Sequence, residues 1–135
     1  MKDYIFLAGR VLYSLLLVIM GSNHFTQFSN MVAYASSKGI PAPEVSVIVT
    51  GLMIVLGSIS ILVGYRGKFG AWLVTLFLFG TSFFMHRFWA LEDPASMQMT
   101  MINFCKDLAL AGAALMLTQT GTGPYSVDNL KKASA

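Results

Sequence analysis

Four runs of about twenty consecutive apolar residues, each closed by a short polar segment, constrain this chain more than any other feature. A helix rises roughly 1.5 Å per residue, so about twenty residues cross the roughly 30 Å of hydrocarbon in a bilayer. The runs lie near Tyr4 to Phe25, Val45 to Gly64, Phe69 to Phe88 and Met99 to Leu117. In lipid a continuous segment must satisfy its own backbone hydrogen bonds, which makes each run a helix rather than an isolated strand. The fold class expected is an all-α membrane protein, a four-transmembrane-helix bundle forming a single domain, with residues 118–135 as a cytoplasmic tail.

Composition agrees, since 56% of the 135 residues are hydrophobic and 11% charged, far from the balance of an average soluble domain. The first run begins three residues from Met1, yet it is long for a signal peptide, contains Arg10 and lacks a small-residue cleavage site. It reads as a retained span. The net charge of +3 matters less than its placement. Lys2, Arg66, Lys68, Lys131 and Lys132 fall on one side of an even-numbered bundle, and Lys38 and Arg87 on the other with Glu44, Glu92 and Asp93. The positive-inside rule therefore places both termini in the cytoplasm. Nothing in the sequence resembles a nucleic-acid-binding motif, and a lone Cys105 excludes an internal disulfide.

Between the first two spans, Ser29 and Asn30 offer helix caps, and Gly39, Pro41 and Pro43 offer a stop. A short outer interfacial helix from about Met31 to Ser37 is expected there, resting apolar side chains on the membrane surface. YRGKFG is a tight cytoplasmic turn, Trp89 suits an interface, and Tyr125, Val127 and Leu130 can hold the tail to the membrane. Gly57, Ser60 and Gly64 form one small-residue stripe, and Ala109, Gly112 and Ala113 a second; both suit close helix packing in lipid. The ten Phe and nine Met residues need no role beyond packing.

The ionisable residues inside the spans carry the functional argument, because each costs about 2.5–3.5 kcal/mol at the bilayer centre unless it finds a partner. Arg10, Ser14, Gly21 and His24 share one face of the first helix. Lys106 and Asp107 are neighbours in sequence and point about a quarter-turn apart, so each should pair elsewhere, Asp107 with Arg10 as a candidate. Asn103 and Lys106 share a face, and His24 and His86 end their helices at the same outer interface. An outer-half pocket gathering His24, His86, Asn103 and Lys106 is the candidate ligand site, with Asn23, Arg87, Asp107 and Arg10 at its rim or in support. The same residues would serve equally as interfacial anchors and helix ties. A haem b held by His24 and His86 is an alternative occupant, whereas the ligand spacing of a metal site is missing.

MINFCKDLALAGAALML resembles the last helix of the DoxX family, where an aromatic residue, a lysine, an acid or amide and an apolar stretch with Gly follow in order. GSNHFTQFSNMVAYASSKGIPAP resembles the family's first outer segment, TGLMIVLGSISILVGYRGKFGAW its second helix and basic turn, and GTGPYSVDNL its closing Gly-rich motif. Phe104, Lys106, Asp107 and Gly112 match the fourth-helix pattern, with Asp107 where relatives often carry Asn. The resemblance implies a four-helix bundle with cytoplasmic termini in a bacterial plasma membrane. It also implies a place in membrane redox systems, among which are a thiosulfate:quinone oxidoreductase and a complex handling oxidative stress. A quinone or similar small molecule is then the candidate ligand, and activity would belong to an oxidoreductase complex rather than to the chain alone. More distant relatives act as assembly or trafficking factors, which leaves a non-catalytic scaffold for another membrane protein as the alternative function.

Overall fold

Helix boundaries follow local chemistry as much as hydropathy. In the computed structural model, which describes residues 1–133, the elements are α1 (Lys2–Thr26), α2 (Phe28–Ser37), α3 (Pro43–Val63), α4 (Gly67–Met85), a 3₁₀ turn (Phe88–Ala90), α5 (Pro94–Thr120) and α6 (Val127–Ala133). Four of these helices are long and apolar enough to cross a membrane. The chain is an integral, multi-pass, all-helical membrane protein.

α5 starts five residues before its apolar run, because the Asp93 carboxylate accepts from the Ser96 N–H at 2.8 Å and Pro94 sits in the first turn. That is the geometry of a helix N-cap. α4 ends at Met85 instead of near Phe88, and His86 leaves the helix. α2 begins at Phe28, three residues earlier than the caps suggest, and neither Ser29 nor Asn30 caps it.

α1 packs on α3, α3 on α4 and α4 on α5, while α2 folds back onto α3. The α3–α4 crossing is close because of glycine: a Cβ on Gly57 would lie 2.9 Å from the Gly70 carbonyl oxygen, and one on Gly70 would lie 2.5 Å from Ser60 Oγ. The first small-residue stripe thus packs helices as expected. The second does not, since Ala109 and Gly112 face outward and α5 turns Asp107, Ala111, Ala114 and Thr118 inward. Leu17, Ile54, Ile61, Val74, Leu78 and Ala111 are the centre of the apolar core.

One end of the bundle holds both termini and the α3–α4 turn, and the tail folds back to seal it. Arg10 Nη1 donates to the carbonyls of Thr122 at 2.5 Å and Pro124 at 3.1 Å, and Nη2 to that of Tyr125 at 2.9 Å. The Asp128 carboxylate accepts from the N–H groups of Arg66 and Gly67, both at 3.0 Å, capping α4 from the tail. Tyr125 stacks on Tyr4 with ring centroids 5.3 Å apart. The expected turn-rich tail therefore contains the short helix α6 and acts as a clasp; its last two residues, Ser134 and Ala135, lie outside the described residues.

Candidate functional site

At the end of the bundle away from the termini, α1, α2, α3, α4 and α5 line a cavity of about 620 Å³. Its volume falls in the range of small-molecule sites, and its walls are mostly apolar with few polar groups, the usual make-up of such sites. Beneath it, the Tyr13 hydroxyl donates to the Leu110 carbonyl at 2.8 Å, tying α1 to α5 and forming a floor.

The cavity's imidazole and charged groups come from α1, from α5 and from the residue that follows α4. His24 lies on the buried face of α1 that also carries Arg10, Ser14, Leu17 and Gly21. It is 8% exposed, its Nδ1 is 3.1 Å from the Gly21 carbonyl oxygen, and its ring meets Phe77 edge-on. Gly51 makes room for it, because a Cβ there would lie 2.7 Å from His24 Cβ. His86 sits where α4 has just ended, and its Nε2 lies 3.3 Å from Asp107 Oδ2. Asp107 is 5% exposed, so this pair puts a carboxylate inside the bundle against one imidazole. Lys106 Nζ donates to Asn103 Oδ1 at 3.2 Å on the same helix and is exposed at the cavity's edge.

His24, His86, Asn103, Lys106, Asn23 and Asp107 all line this one cavity. Two other expected members lie elsewhere. Arg10 belongs to the tail clasp at the opposite end, and its pairing with Asp107 does not occur: the tail carbonyls come within direct reach, while Asp107 lies farther along the bundle beside His86. Arg87 points along the surface and donates to the Lys38 carbonyl at 2.7 Å, linking the two far-end connections. Lys106 has no carboxylate partner among the described residues, and its exposure lets it reach the polar boundary.

Sequence reasoning missed the His86–Asp107 pair and the aromatic brace beside it. Phe104 packs edge-on against Phe83, Phe88 and Trp89 at centroid distances of 5.3, 5.5 and 5.7 Å. This cluster holds the 3₁₀ turn against α5 and so fixes the segment following His86. Asn103 and Asp107 are four residues apart, a spacing that places both on one helix face and signals the inward turn of Asp107.

A family model described as DoxX matches residues 5–87, which covers α1 through the end of α4. The chain belongs to the DoxX family. Over 94% of its length it is 32% identical to the inner membrane protein YphA of Escherichia coli, covering 90% of that protein. It is 28% identical to the E. coli inner membrane protein YqjF over 96% of this chain and 94% of that one. The ER-derived vesicles protein ERV29 of Saccharomyces cerevisiae is 26% identical over 97% of this chain, which spans only 35% of it. No solved structure matches. The DoxX model ends at His86 and Arg87, so Asp107 and Lys106 lie outside it, within the alignments to YphA and YqjF that cover nearly the whole chain.

Proposed function

We propose that this DoxX protein is a membrane subunit of a redox-associated system that binds a quinone-like small molecule in the far-end cavity. The observation carrying the reading is the His86–Asp107 pair set in the wall of a 620 Å³ apolar cavity. Titratable groups held in a cleft by burial and a specific partner are a recurrent mark of functional sites. An apolar ring ligand would fill the space between Leu17, Met53 and Phe77, while its oxygens meet His24, His86 and Lys106. A quinone suits these groups better than a haem, since the Nε2 of His86 is already committed to Asp107.

The membrane is that of a bacterial cell, with both termini in the cytoplasm and the cavity in the outer half. Support comes from the inner-membrane relatives in E. coli and from Lys2, Arg66, Lys68, Lys131 and Lys132 gathering at the terminal end. The test of the binding reading is a titration of the purified protein in nanodiscs with short-chain quinones in both redox states. Saturable binding that weakens in both His86→Ala and Lys106→Met is expected, by at least about tenfold in Lys106→Met, which loses a charged hydrogen bond. Wild-type protein that binds neither redox state contradicts it.

A second reading, a scaffold for another membrane protein, draws on the outward stripe of Ala109 and Gly112 on α5, where a Cβ at Gly112 would meet nothing within 4 Å. Small residues facing lipid allow a foreign helix to approach closely. Photocrosslinking from Met116 in native membranes tests it: adducts to another protein support the scaffold, and adducts to lipid alone count against it.

A further inference from the structure

The two histidines of the cavity each have one ring nitrogen tied to an oxygen of the protein, and those bonds fix what the other nitrogen can offer. A backbone carbonyl only accepts, so the His24 Nδ1 that meets the Gly21 oxygen carries the proton. In the neutral ring its Nε2 is then a bare acceptor. That atom has no partner among the described residues and is not sealed from the cavity that His24 lines. His86 is arranged the opposite way round: Nε2 faces the Asp107 carboxylate and carries the proton, leaving Nδ1 as the bare acceptor of the neutral ring. Of the other polar groups that line the cavity, Lys106 is a donor only, while Asn23 and Asn103 each carry both a donor amide and an acceptor oxygen.

We infer that the cavity discriminates by redox form and takes a dihydroxy aromatic ring, a quinol, in preference to the corresponding dicarbonyl quinone. This rests on the quinone-type reading above and adds a polarity to it. A hydroxyl donates and accepts, so two hydroxyls satisfy both bare nitrogens and still accept from Lys106. A carbonyl only accepts. It can meet Lys106 or an asparagine amide, but against His24 Nε2 or His86 Nδ1 it sets acceptor against acceptor. An unsatisfied buried acceptor of this kind weakens binding by about tenfold or more.

Two measurements at pH 8, above the ordinary range for imidazole titration, test the inference on the full chain in nanodiscs under anaerobic conditions. In ¹⁵N spectra of histidine-labelled protein, His24 is expected as the Nδ1–H tautomer and His86 as the Nε2–H tautomer. Duroquinol is expected to bind at least about tenfold tighter than duroquinone. His24→Phe and His86→Phe, which keep a ring but remove the acceptor, should each narrow that ratio. Reversed tautomers, a doubly protonated His86, or equal or tighter binding of duroquinone overturn the inference while leaving the cavity's role as a quinone-type site intact. Binding of neither compound removes that role and the inference together.

Discussion

At the residue scale, the far-end cavity depends on one close approach. Gly51 lies against His24, so Gly51→Ala must push α3 off α1 or turn the imidazole. Overpacking of that kind costs about 1–3 kcal/mol. Melting in detergent should fall accordingly and ligand binding with it, whereas Gly112→Ala, which meets open space, should melt at or slightly above the wild-type temperature. Equal effects of the two substitutions would contradict the packing assigned to Gly51. The face carrying Arg10, Ser14, Gly21 and His24 was legible from helical periodicity alone. The partners of Arg10 and Asp107 were not, because pairing between helices depends on relative depth and on a tail whose return path leaves no periodic signal.

Elements in this chain are ended by side chains and clasped by the tail. The Asp93 carboxyl is held below the ordinary aspartate range, first by its side-chain bond with Ser96 and then by the Ser96 N–H. A lowered folded value means the cap's stabilisation is complete above the unfolded value near 4 and is lost as pH falls through the folded one. Hydrogen exchange at the Ser96 amide should therefore show extra fraying of the first turn of α5 only at acidic pH, and Asp93→Asn should remove that pH dependence. At the opposite end, Arg10 and the tail act as a unit. Truncation after Thr120 strands a buried guanidinium and should cost about 3 kcal/mol or more, while the same truncation in Arg10→Met should cost much less, a non-additivity that a double-mutant cycle reads directly. Equal costs in the two backgrounds would mean that the clasp does not hold Arg10. The span centres were readable from hydropathy, but their ends were set by the Asp93 cap and by the aromatic brace on Phe88 and Trp89.

For the whole molecule, four apolar runs specified the bundle because lipid leaves the backbone no other way to pair its polar groups. The orientation proposed for it rests on the placement of charge, and a cysteine map tests it. In a Cys105→Ala background, Ser36→Cys should react with a membrane-impermeant maleimide in intact cells, and Lys132→Cys only after permeabilisation; the reverse pattern would invert the topology. What no periodicity could show is that the five longest helices leave a cavity at the far end, with α1 tied to α5 through Tyr13, since a void is a property of how helices lean. The central claim, that this void is a binding site, is tested most directly by native mass spectrometry of the protein released from its own membrane. One small apolar molecule per chain, lost in a His86→Ala, Lys106→Met double variant that remains folded, is the predicted result. A wild-type chain that flies bare and takes up neither quinol nor quinone when they are added would contradict it.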